Sequence, residues 1–178
     1  MIPSKKILII IGSATKDSSN RKLIEQVLKK KSNIYFQMYD NLSVLPHFDT
    51  ALTDVDTPEE IMKVREYIQD SAGVIISTPE YIFSIPSRLK NLLEWCVSTN
   101  VFLNKPVAFI TASASGEKGH EELLLILKTL GAVVNDKHQL LIKAIKGKLE
   151  PDGSIENNTF AKVLELVTDF EKSVSSLK

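Results

Sequence analysis

The chain has 178 residues, 43% hydrophobic and 25% charged, which suits one folded domain with a proper core. Lysine plus arginine equals aspartate plus glutamate at 22 each, so no global field draws it to nucleic acid or to an anionic membrane. One cysteine, Cys96, excludes an internal disulfide framework, and the opening residues contain no apolar run long enough for a signal segment or membrane span; both point to the cytoplasm.

Ile7 to Ile11 is an unbroken aliphatic run, the pattern of a parallel strand covered on both faces. The loop Gly12-Ser13-Ala14-Thr15-Lys16-Asp17-Ser18-Ser19-Asn20 follows, then a helix to about Lys31 with Leu23, Ile24, Val27 and Leu28 on one face. The second strand is expected from Ile34 to Tyr39, trailed by Leu45-Pro46-His47-Phe48-Asp49. Thr57-Pro58-Glu59-Glu60 reads as a helix start capped by Thr57, and that helix buries Ile61, Val64 and Ile68. The third strand is Val74-Ile75-Ile76; Pro79 ends it by removing a backbone donor and holding Thr78 extended. Pro86 opens a helix whose apolar face is Leu89, Leu92, Leu93, Cys96 and Val97. Val107 to Ala112 forms the fourth strand, and a helix lined by Leu123, Leu127 and Leu130 stops at Gly131. Ala132 to Val134 is read as a short fifth strand. Residues 135–158 carry no clear period apart from a strand-like Leu140-Leu141-Ile142. The last helix aligns Phe160, Val163, Leu164, Val167, Phe170 and Val174. No repeat or linker interrupts the series, so residues 1–178 form one expected domain.

Five alternations of strand and helix predict a doubly wound α/β fold: a parallel five-stranded sheet, order 2-1-3-4-5, with helices on both faces. In that order, which is the flavodoxin order, ligands sit where strands 1 and 3 diverge. The loops after strands 1, 3 and 4 meet there. The first offers the hydroxyls of Ser13, Thr15, Ser18 and Ser19, the amide of Asn20, free helix N–H groups and the charge of Lys16, which suits a phosphate. The alternative is an ordinary Ser/Asn helix cap. The loop after strand 3, Glu80-Tyr81-Ile82-Phe83-Ser84, has two aromatics where a flat ligand would lie. Glu80 is read as solvated or ion-paired, Cys96 as an inert buried hydrophobe, and Trp95 as half of a possible dimer contact. The histidines His47, His120 and His138 lack metal-ligand spacing, so no metal site is expected.

Two motifs taken together, Gly-Ser-x-x-x-x-Ser-x-Asn from Gly12 and Thr-Pro-Glu-Tyr-x-x-Ser-x-Pro-x-x-Leu-Lys-Asn-x-x-Glu-Trp from Thr78, resemble the NADPH-dependent FMN reductase family. The Leu45–Asp49 segment is similar to one these proteins carry after strand 2. The resemblance implies a flavodoxin-like fold, FMN as cofactor, NADPH or NADH as donor, and a quinone, azo compound, flavin or metal ion as acceptor. It implies that Ser13, Ser18 and Asn20 hold the FMN phosphate, that Pro79, Glu80, Tyr81 and Ile82 line the ring, and that Ser113 approaches its other side. Many members carry Arg in the place of Thr15 and Asn in the place of Ile82; Lys16 would replace the missing charge. Hydride passes through the flavin, so no acid–base residue is nominated. A homodimer or homotetramer is implied. A non-enzymatic carrier of flavodoxin type is the alternative, though such carriers are strongly acidic and this chain is neutral. A receiver domain would need an acidic cluster where this chain has Gly12-Ser13 and Thr78-Pro79.

Overall fold

The computed structural model describes residues 6–15, 17–31 and 36–176. Its five strands are β1 (Ile7–Ile11), β2 (Phe36–Tyr39), β3 (Gly73–Thr78), β4 (Val107–Ala112) and β5 (Gln139–Ile142), all paired in parallel in the order β2-β1-β3-β4-β5. The expected flavodoxin-like order is the observed one. Period-two alternation divides the sheet's side chains between two covered faces. Leu8, Ile10, Val74, Ile76, Val107 and Phe109 pack under α2 (Glu59–Asp70), α3 (Ser87–Trp95) and α4 (Glu117–Thr129). Ile7, Ile9, Ile11, Ile75, Ala108 and Ile110 pack under α1 (Ser19–Lys30) and α5 (Asn157–Ser176).

Three boundaries differ from the sequence reading. The fifth strand is Gln139–Ile142, not 132–134. Val133 makes only an isolated bridge, accepting from Val107 N at 2.9 Å and donating to Lys105 O at 2.9 Å before a 3-10 turn, Asp136–His138, carries the chain to β4's outer edge. Helix α2 is capped by Pro58 rather than Thr57, whose hydroxyl donates to the carbonyls of Leu52 and Thr53 at 2.9 Å and so offers nothing to the helix amides. Helix α3 ends at Trp95, so Val97 lies beyond it and is exposed, while Leu89, Leu92, Leu93 and Cys96 are buried as expected. Of the expected second strand, Ile34 and Tyr35 lie outside the described residues.

Candidate functional site

At the carboxyl edge of the sheet, β1 and β3 hand the chain to helices on opposite faces and leave a crevice between them. Gly12 closes its floor, donating from N to Ser77 O at 2.8 Å. A Cβ there would come within 2.6 Å of Thr78 Oγ1 and 2.9 Å of Leu89 Cδ2. Ser18 is the N-cap of α1, its Oγ accepting from Arg21 N at 3.2 Å. Lys22 N donates to Ser18 O, so the amides of Ser19 and Asn20 are the first-turn donors without an acceptor inside the helix.

Asn20 is placed differently from the sequence reading. Its side chain is buried and turned into the protein: Nδ2 donates to Ala112 O at 3.0 Å, and Oδ1 accepts from Ser77 Oγ at 3.1 Å. It therefore ties α1 to β3 and β4, and only its backbone N–H is left for a ligand. Ser13 Oγ lies 3.4 Å from both Thr15 Oγ1 and the Tyr81 hydroxyl, which links the first loop to the loop after β3. Lys16 lies outside the described residues.

The loop after β3 is a tight reversal. Tyr81 and Ser84 exchange backbone hydrogen bonds of 2.9 and 3.1 Å, and between them Ile82 (φ +51) and Phe83 (φ +57) both adopt left-handed backbone angles. These are the angles of a two-residue turn that ordinarily carries Asn or Gly. Glu80 is half-buried and makes no ion pair among the described residues. Its Oε1 accepts from Gly116 N at 3.0 Å and its Oε2 from Gly119 N at 2.8 Å. Gly116 is the N-cap of α4 and has no side chain to cap with, so the carboxylate from the neighbouring loop meets the helix's positive end. Ser113 Oγ donates to Glu80 O at 3.2 Å, and Glu122 accepts from Ser84 Oγ and Ile85 N at 2.7 and 2.9 Å. The reversal is thus fastened to α4 at both ends.

These parts enclose a cavity of about 530 Å³, lined by Ser13, Thr15, Ser18, Ser19, Asn20, Pro79, Tyr81 and Ser113 among others. Ile82 and Phe83 stand outside it, at 95% and 74% exposure. Residues 144–147 also line it, which the sequence does not signal: they follow β5 without apolar periodicity. A second cavity of about 290 Å³ lies across Ser13 and Thr15, bordered by Arg21, Asp40 and Arg88; Arg88 donates to Ala14 O at 3.3 Å.

The rest of the long motif has a structural role. Asn91 Nδ2 and Trp95 Nε1, one turn apart on α3, both donate to Pro46 O at 2.9 Å, while Asn91 Oδ1 accepts from Phe48 N at 2.8 Å. Phe48 meets the Trp95 ring edge-on at 5.3 Å. The Leu-Pro segment is therefore docked on the Asn-x-x-x-Trp face of α3. Trp95 is fully buried by this and is withdrawn from the dimer contact suggested by its position in the sequence. Burial pushes the Cys96 thiol up to about 12. Burial also lowers the pKa of His120, whose Nδ1 lies 3.0 Å from Thr111 Oγ1. Among the described residues no three His, Cys, Asp or Glu side chains are grouped to hold a metal ion, and no helix is long and apolar enough to cross a membrane.

The description of the family whose model matches residues 5–146 is NADPH-dependent FMN reductase. The chain belongs to the NADPH-dependent FMN reductase family. It is 26% identical over 170 residues to a 2-hydroxy-1,4-benzoquinone reductase of a Burkholderia species, with 92% of each chain covered. It is 25% identical over 183 residues to a quinone reductase of Escherichia coli (strain K12), with 97% of each covered. A solved flavoenzyme NAD(P)H:(acceptor) oxidoreductase from Paracoccus denitrificans superposes with a TM-score of 0.79 at 28% identity, covering 96% of this chain and 97% of that one.

As a member of this family the protein is an FMN-dependent NAD(P)H oxidoreductase. Its cavity fits the cofactor on three counts. The volume is within the roughly 300–1,000 Å³ of small-molecule sites. Helix amides and hydroxyls gather at one part of the lining, as a phosphate needs, and an aromatic with a proline stands at another, as a flat ring needs.

Proposed function

We propose that the phosphate of FMN lies over Ser13, Thr15, Ser18, Ser19 and the first amides of α1, with Lys16 nearby. In this arrangement the Pro79–Ile82 backbone, Ser113 and Gly12 would hold the ring. Bound there, FMN would supply the hydride and electron chemistry between NAD(P)H and a small acceptor, a quinone in the first instance. The observation that carries this is the single cavity joining a hydroxyl-lined helix terminus to the Pro79–Tyr81 corner in a chain of this family.

The chain's own residues then have three tasks. The α1 terminus and Ser18 bind the phosphate. The Glu80 carboxylate, by holding the amides of Gly116 and Gly119, fixes the loop so that its backbone meets the ring in one register. Tyr81 must release Ser13 if that hydroxyl is to turn to a phosphate, and its ring then borders the place where donor and acceptor alternate. No side chain is assigned a proton-transfer role. One domain over residues 1–178 is part of this reading, supported by helices α1 to α5 covering the two faces of one sheet. We also propose a cytoplasmic homodimer, for which the lone buried Cys96 and the exposed Phe83 speak.

Tyr81→Ala and Ser18→Ala separate the two halves of the site. Tyr81→Ala is expected to change kcat/KM for nicotinamide or quinone while FMN content holds, whereas Ser18→Ala is expected to weaken FMN retention. Unaltered steady-state kinetics in Tyr81→Ala would remove that loop from the ring. Light scattering at micromolar protein tests the dimer.

A further inference from the structure

Residues 143–148 carry three lysines, and their surroundings differ. Lys143 pairs with the Glu117 carboxylate and Lys148 with Glu156 at 2.8 Å. Lys146 makes no ion pair among the described residues and lines the same cavity as Ser18, Ser19 and Asn20. Its backbone is fixed there: Ala144 N donates to Ala114 O at 3.0 Å, and Ile145 N donates to Ser113 O at 3.1 Å. Ala144 takes a left-handed φ of +53 as the chain turns from β5 into the short 3-10 segment Ile145–Lys148. The strained turn and the two anchors bring this lysine to the cavity wall.

The charge of the cavity makes the placement matter. A phosphate monoester carries about −1.5 to −2 charges at neutral pH. The hydroxyls and amides of the cradle are neutral, and Thr15 brings no charge. The other charged side chain among the described lining residues is Asp17, which has the wrong sign. Lys146 is the one described cation in the lining.

We infer that Lys146 is a cationic partner of the cofactor phosphate, reaching it from the segment after β5. This rests on the FMN reading above. It makes the 144–147 segment a fourth wall of the site and divides the work: α1 supplies directed N–H donors and Lys146 supplies charge.

The test is a pair of dissociation constants, for FMN and for riboflavin, measured by flavin fluorescence on wild type, Lys146→Ala and Lys146→Arg at low and high salt. Lys146→Ala is expected to bind FMN about tenfold more weakly, with riboflavin affinity unchanged and a flatter salt dependence for FMN; Lys146→Arg restores the affinity. Because Lys146 is exposed and makes no ion pair among the described residues, the thermal midpoint of the cofactor-free variant stays at the wild-type value. Equal losses for FMN and riboflavin, or no loss for FMN, overturn the assignment. Wild type that binds no FMN at all overturns the cofactor reading and this inference together, so the two failures are distinguishable.

Discussion

Ile82 combines two unfavourable features at one residue. A β-branched side chain at φ +51 crowds its own backbone, and 95% exposure gives it no packing in return. The left-handed conformation costs such a residue roughly 1–2 kcal/mol, a penalty that Gly avoids and Asn reduces. Ile82→Gly and Ile82→Asn are therefore expected to stabilise the protein by about 1 kcal/mol, read as a higher denaturant midpoint at unchanged slope. A lower midpoint would mean that the isoleucine side chain makes a stabilising contact of its own. Cys96 is the opposite case: buried, and with its thiol raised to about 12, it forms no thiolate at neutral pH. Thiol reagents are expected to label it only at the rate of unfolding, and fast labelling of the native protein would contradict that burial.

Between elements, the Glu80 carboxylate across the N-terminus of α4 is a charged link at the site. Glu80→Ala leaves the amides of Gly116 and Gly119 without their acceptor, with an expected loss of about 1–3 kcal/mol. Because the same loop borders the cavity, FMN affinity should fall with it; a variant with wild-type stability and affinity would show that water replaces the carboxylate at no cost. This link was not legible in the sequence, because residues 80, 116 and 119 become neighbours only once β3 and β4 pair. The same limit explains Asn20, whose place in a Ser/Asn-rich loop suggests a ligand but whose amide meets Ala112 and Ser77 across the sheet. Apolar runs and Pro or Gly breaks did locate β1, β3, β4 and the helices, since those signals are local. The fifth strand was misplaced because 132–134 and 139–142 are both short and apolar, and only pairing with β4 separates them.

At the scale of the whole molecule, the all-parallel order β2-β1-β3-β4-β5 brings the loops after β1, β3 and β4 to one edge of the sheet. Stability should also depend on pH through His120 and His138. Burial lowers both pKa values below the ordinary 6.5. The unfolded chain therefore binds protons that the folded chain refuses, so their contribution is fully present above pH 6.5 and is lost as pH falls below it towards the folded values. The thermal midpoint should fall on acidification below that point, and His120→Gln should flatten the fall; an unchanged profile in the variant would remove His120 as a cause. The central claim is that this edge holds one redox-active FMN. It is tested most directly by the visible spectrum of the purified protein, supplemented with FMN, before and after anaerobic addition of NADPH or NADH. The account predicts one bound flavin per chain whose absorbance bleaches with at least one of the two nicotinamides, and a protein that stays colourless or keeps its colour with both would contradict it.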